Sequence, residues 1–357
     1  MNQAVTERQG HINSLAGLKA MCMLLLFWWH SSLPRPNADL GARTCEFLFL
    51  SSGFLVGYNY YYKDVPATWK ESLRYITVKL KRFWPLHFFV MIIMWFKYKA
   101  DMFSIKTFIK MILNMSLLHA WSMNSKVYFS FNGVSWFLSA YIFCCFLSPA
   151  LLNLVKRLKK SGYLVVCVFL IRLLMEIIAK EYPGEFFNVN FHTYPLVRAL
   201  EFFMGMSMVP IYMRLKPWVR LRSSFSVSII EAAAICISIC VAVVFNGHWL
   251  RAWFVLIAAV VLFVFSFDKG ICSKALVAVT PLRWLSGIQF EFFLLHQAIM
   301  KCFRKPFSIL FQNLYIANIA MFMAVIVASL LYKRLLEKRC SYLFSRITDD
   351  FVKIIQS

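Results

Sequence analysis

The chain has 357 residues, of which 61% are hydrophobic, 17% aromatic and only 15% charged, and its mean hydropathy of +0.65 excludes an ordinary soluble domain and fits a polytopic membrane protein. Thirty-nine Lys and Arg against 16 Asp and Glu give a formal charge of +23, an excess that suits nucleic acid, anionic lipid or the retention of cytoplasmic loops. The basic residues are distributed among loops and form no aromatic-interleaved patch, which sets nucleic acid aside as a partner.

Residues 1–10 are polar and the first apolar run has no small-residue cleavage site after it, so this run is expected to stay as an anchor. Apolar runs of spanning length fall at 12–32, 45–62, 83–98, 136–155, 161–180, 194–213, 225–244, 252–268, 286–302 and 311–332. The expected fold is therefore all-α, a helical bundle of about ten transmembrane helices. With the N-terminus inside, residues 63–82, 156–160, 214–222, 269–283 and the tail from Lys333 form the basic inner segments; 97–126 is the main basic outer stretch. An even helix count puts both termini in the cytoplasm. No hydrophilic insertion is large enough for a soluble domain, so residues 1–357 read as one membrane-embedded domain, multi-pass in the cell membrane.

Two stretches depart from the simple pattern. Residues 102–121 place apolar residues at helical spacing with Lys106 and Lys110 opposite, which suits a surface-lying or re-entrant helix. Residues 126–135 read as an aromatic, turn-containing outer loop, either a substrate entrance or a connector with an interfacial aromatic belt. The ten cysteines lie mostly in apolar runs without CxxC spacing and read as small buried hydrophobes, not metal ligands or a disulfide framework. There is no visible internal repeat.

An ionisable residue inside a span marks a functional site by default, because it must face the bundle interior and find a partner. His30, near the end of the first run, is the leading candidate. The others are Lys19, Glu46, His87, Arg172, Arg198, Glu201, Glu231, Glu291 and His296. Two imidazoles, His30 and His296, in a bundle that also holds Glu46, Glu201 and Glu291 suggest a proton-handling site, since a carboxylate can orient an imidazole. Lys79 and Arg82, three apart and on one helix face, sit at the mouth of the third span, with Pro85 just inside it. Such a pair suits either a phosphate clamp or an ordinary positive-inside stop.

In this order the segments resemble the acyltransferase 3 family, integral-membrane enzymes that move acyl groups from acyl-CoA onto sugars. The resemblance rests on Gly17-Leu-Lys19 with His30, on Glu46 through Gly57, and on Lys79, Arg82 and Pro85. It continues through Asn132-Gly-Val-Ser-Trp-Phe-Leu-Ser139, Arg198 with Glu201-Phe-Phe-Met-Gly205, Leu282-Arg-Trp-Leu-Ser-Gly287 and Leu294-Leu-His296. It implies that His30 is the essential base and that Lys79 and Arg82 hold the CoA donor, expected to be acetyl-CoA. Beside these, Glu46 and His296 are further catalytic candidates, Lys19 a further donor-binding one, and Arg198, Glu201, Trp136 and Ser139 candidates for substrate or oxyanion; no metal is expected. The chain departs from the family in having Lys19 and Lys79 where Arg is common, which loses the bidentate fork, and Ala140 and Tyr141 where an acid is expected.

The expected reaction is O-acylation, most simply acetylation, of a cell-surface polysaccharide or its lipid-linked precursor. His30 would deprotonate the sugar hydroxyl or first take the acyl group itself, and Arg198 or His296 would stabilise the oxyanion. The expected partners are the glycan, the bilayer and, if the chain does not complete transfer alone, a separate soluble acyl-transfer protein. The competing readings are a proton-coupled transporter or flippase for a lipid-linked or anionic solute, and a structural subunit of an export complex.

Overall fold

The computed structural model of the protein describes residues 10–35, 39–158, 161–182, 192–244 and 251–345, and all regular structure among them is helical. The polar residues 1–9 and the end of the tail beyond 345 lie outside the described residues. Helix α1 (Asn13–His30) ends on the leading candidate itself. Helix α2 (Leu40–Tyr60) starts where the Asp39 carboxylate accepts from the Ala42 N–H at 3.2 Å, and α3 (Trp69–Trp95) where the Thr68 hydroxyl accepts from the Glu71 N–H at 3.3 Å. Each cap satisfies an amide that a helix start leaves open.

Helix α4 (Ile105–Met115) realises the amphipathic stretch. Its Ile105, Phe108, Ile109 and Ile112 point outward while Thr107 and Asn114 are buried, the arrangement of a helix that lies against lipid. The short α5 (Ser125–Tyr128) and a turn of 3₁₀-helix at Gly133–Ser135 lead into α6 (Trp136–Arg157), followed by α7 (Gly162–Glu181). Then come α8 (Pro195–Ser207), α9 (Val209–Leu221), α10 (Ser224–Val244) and α11 (Arg251–Phe265). The last four are α12 (Ile271–Ala278), α13 (Thr280–Ser286), α14 (Gln289–Phe311) and α15 (Leu314–Leu331).

Three expected boundaries are corrected. The third helix starts at Trp69, not near 83, because Lys, Arg and Glu lower hydropathy without opposing helix. Lys79, Arg82 and Pro85 therefore lie well inside it. The run at 194–213 divides into α8 and α9 at Met208, where Pro210 occupies the first turn of α9 and its missing N–H costs nothing. Helix α14 continues to Phe311, past the expected end at 302, through the polar face of Lys301, Arg304 and Lys305.

Among the described residues, five helical stretches are long and apolar enough to cross a membrane: Gly133–Arg157, Gly162–Ala179, Pro195–Leu221, Ser224–Val241 and Leu314–Ser345. Their exposed faces carry rows such as Ile171, Leu174 and Ile178 or Ile319, Met323 and Val327, as lipid-facing helices do. The protein is a multi-pass membrane protein. At its centre α2 packs on α8, and the two backbones touch. A Cβ at Gly53 would sit 1.8 Å from the Phe202 carbonyl oxygen, and one at Gly205 2.0 Å from that of Leu50. Only glycine permits so close a crossing. Around this pair, α1 packs on α2, α12, α13 and α14, and α3 on α6 and α14.

Candidate active site

The larger cavity, about 710 Å³, opens at the C-terminal end of α1. Trp29, His30 and Ser31 form one wall; Gln297, Lys301 and Arg304 of α14 form the other. The amide nitrogen of Gln297 lies 3.5 Å from His30 Nδ1. Gln297 itself is seated by a missing side chain, because a Cβ at Gly133 would come within 2.5 Å of its Oε1. That oxygen is buried without a hydrogen-bond partner. Turned over, the amide would accept from Nδ1–H and leave Nε2 of His30 with the lone pair that a general base requires.

His296 is buried, its ring centroid 5.3 Å from that of His30. Its Nδ1 lies 2.6 Å from the Phe293 carbonyl oxygen, which only accepts, so Nδ1 carries the proton and Nε2 the lone pair. That Nε2 has no partner. A neutral His296 thus offers an acceptor at Nε2, and becomes a donor for an oxyanion only after taking a proton there.

A second cavity, about 320 Å³, lies along the same two helices toward their N-terminal ends, lined by Lys19 and Met23 of α1 and Gln289, Phe290 and Phe293 of α14. The Gln289 side chain donates to the Ala16 carbonyl at 2.9 Å, fixing α1 and α14 in parallel register. Arg82 reaches this cavity from α3 and also faces Glu337 at 3.9 Å. Lys79 does not line it; its ammonium lies over the Tyr75 ring, 5.2 Å from the centroid. The phenyl ring of Phe293, a wall of the second cavity, is centred 6.0 Å from the His296 ring. The His296 ring in turn lies 5.3 Å from that of His30 on the first cavity, so Phe293 and His296 stand between the two spaces.

The remaining candidates are gathered elsewhere or engaged otherwise. Arg198 donates to Glu201 at 2.7 Å, Arg172 faces Glu201 at 3.6 Å and Glu176 at 2.9 Å, and Arg43 pairs with Glu46 at 2.9 Å. All but Arg43 are buried. The Arg172–Glu201 contact ties α7 to α8, whereas Arg43 and Glu46 pair within α2. Among the described residues no carboxylate pairs with His30 or His296, so the expected carboxylate–imidazole partnership is replaced by Gln297 and a backbone carbonyl. Glu291 is buried with neither oxygen hydrogen-bonded.

Trp136 packs on Phe49 and Phe137. The Ser139 hydroxyl donates to the Leu117 carbonyl at 2.5 Å and accepts from the Ala120 N–H at 3.4 Å, which holds the 117–120 turn. A further buried pair, His87 and His119, stacks with centroids 6.1 Å apart; His87 contacts the Asn114 carbonyl and His119 the Ser135 hydroxyl.

Gln297, Arg35, Lys301, Arg304 and Lys305 were not singled out from the sequence. A signal was present: Gln297, Lys301, Arg304, Lys305 and Ser308 fall at i, i+4, i+7, i+8 and i+11, one polar stripe on a helix. It was hidden because the expected span stopped at 302.

Comparison with curated proteins and with solved structures returns no match. The model of the acyltransferase 3 family, described as an acyltransferase domain, matches residues 12–333 and so contains both cavities and every helix from α1 to α15. With nearly the whole chain covered, the protein belongs to the acyltransferase 3 family.

Proposed function

We propose that the protein is a membrane O-acyltransferase of the cell membrane that moves an acyl group, most simply acetyl, from cytosolic acyl-CoA to a hydroxyl of a surface polysaccharide or its lipid-linked precursor. One observation carries the reading: His30 faces the larger cavity while Lys19 and Arg82 line the smaller one, and both spaces follow the same pair of parallel helices. Eleven residues separate Lys19 from His30 on α1, about 16 Å along the axis. That suits a long thioester-bearing arm with its phosphates at Lys19 and Arg82, and with its carbonyl brought past the Phe293 layer to His30.

In this mechanism His30 takes the proton of the acceptor hydroxyl as the oxygen attacks the thioester carbonyl. The new C–O bond forms, the C–S bond breaks, and the thiolate leaves to be protonated. Gln297 fixes the ring of His30. His296 supplies a donor to the oxyanion when protonated at Nε2. Arg198 and Glu201, engaged with each other, support the bundle around the site. Acylation of His30 itself, followed by transfer to the hydroxyl, gives the same products with ping-pong kinetics.

The test is transfer of label from acetyl-CoA, and from succinyl- and longer acyl-CoAs, into host glycan by membranes that contain wild type or His30→Ala at equal levels. Label in glycan with wild type only is the expected outcome. Equal transfer by both removes His30 from the mechanism, and transfer by neither leaves transport of a lipid-linked or anionic solute as the better account.

A further inference from the structure

Resting on the acyltransferase reading above, we infer that the acceptor seated against His30 is an acidic saccharide, whose carboxylate or phosphate is held by Arg35, Lys301, Arg304 and Lys305. These four cations line the larger cavity, and among the described residues no Asp or Glu does. Deeper in the bundle, Arg172, Arg198 and the partly buried Arg43 each face a carboxylate within 3 Å; the four cavity cations are exposed and face none among the described residues.

Among the described residues none of the four cavity cations makes an ion pair. Their hydrogen bonds go to backbone carbonyls: Arg35 to Trp29 at 3.0 Å, Arg304 to His30 at 2.5 Å and Lys301 to Phe131 at 3.3 Å. A carbonyl orients a cationic head but leaves its charge uncompensated. Lys301, Arg304 and Lys305 also stand at i, i+3 and i+4 on α14, a spacing at which like charges repel. A concave wall of one sign focuses its field into the cavity and raises the local concentration of an oppositely charged guest.

The guest is larger than a simple anion, because about 710 Å³ is the size of a small-molecule site. It must also offer a hydroxyl to His30. An acidic sugar meets both conditions on one molecule. A phospholipid headgroup shares the phosphate chemistry and is the competing source.

The experiment uses membranes containing the full chain, labelled acyl-CoA and total host glycan as acceptor, with the product divided by organic extraction and then by anion exchange. Label is expected in the aqueous fraction, retained on the exchanger, and lost from it after carboxyl reduction or phosphate removal. Lys305→Gln and Arg35→Gln, at exposed positions, should each raise the KM for glycan about tenfold with kcat within twofold and the donor KM unchanged. Lys305→Arg should restore the wild-type value, and raising salt from about 0.05 to 0.5 M should mimic the Gln variants, since screening shortens the reach of each charge.

His30-dependent label in a neutral glycan, or an unchanged glycan KM in both Gln variants, would overturn the inference and leave the acyltransferase standing. Label confined to the organic phase without saccharide would replace the sugar with a lipid headgroup. Absence of any His30-dependent label overturns both the acyltransferase reading and this inference.

Discussion

Replacing Gly53 by alanine tests the central packing directly. The added methyl would lie 1.8 Å from the Phe202 carbonyl oxygen, about 1.6 Å short of ordinary van der Waals contact. The obstacle is backbone, so no side-chain rotation relieves it and α2 must move off α8. A gap of even 0.5–1 Å already forfeits about a quarter to a half of each dispersion contact. The α2–α8 seam includes the buried Phe49, Leu50, Phe54, Phe202 and Met206. The expected cost is about 3 kcal/mol, the upper end of the range for overpacking, a large part of the roughly 5–15 kcal/mol that typically holds a fold.

The assay is thermal unfolding of detergent-solubilised protein followed by fluorescence-detected gel filtration. Gly53→Ala should melt well below wild type. Gly205→Ala, whose methyl would meet the Leu50 carbonyl oxygen at 2.0 Å, should behave alike. The double variant should fall by less than the sum, because helices already separated accommodate the second methyl. Gly162→Ala, with nothing nearer than 3.9 Å, is the control and should melt like wild type. Wild-type melting of Gly53→Ala would refute the backbone contact.

Gly133→Ala should push Gln297 away from His30 and lower kcat at least tenfold with little change in melting temperature; an unaltered kcat would show that Gln297 does not position the base. Glu201→Gln leaves Arg172 and Arg198 short of their shared carboxylate in a buried site and should cost about 3–5 kcal/mol, read as reduced folded yield and an earlier melt. A variant that melts normally but loses transfer would instead return Glu201 to the chemistry. Lys19→Met and Arg82→Met should each raise the donor KM severalfold, whereas Lys79→Met, outside the second cavity, should change it less; the order is read from initial rates against acyl-CoA concentration.

Much was legible in the sequence because burial in lipid imposes a simple rule. Backbone polar groups must be satisfied within the segment, so long apolar runs become helices, and the helical class and the rough place of most helices followed from hydropathy. His30 stood out as a candidate for the complementary reason: an imidazole in such a run needs a purpose or a partner. Boundaries failed where charge was present. Residues 69–82 and 303–311 are helical in spite of their Lys and Arg, and hydropathy cannot distinguish a charged helical face from a loop.

Assigning partners to the ionisable residues required tertiary structure. The sequence supplied Glu46, Glu201 and Glu291 as equal candidates for the imidazoles. The fold joins Glu46 and Glu201 to arginines, leaves Glu291 without a hydrogen bond, and brings Gln297 to His30 from a helix more than 260 residues away. Composition shows that a charge in a membrane must be compensated, but which group compensates it depends on distances of a few ångströms between helices. The two cavities arise in the same way. Their walls come from parallel helices at opposite ends of the chain, α1 and α14, brought together by packing that no local pattern encodes.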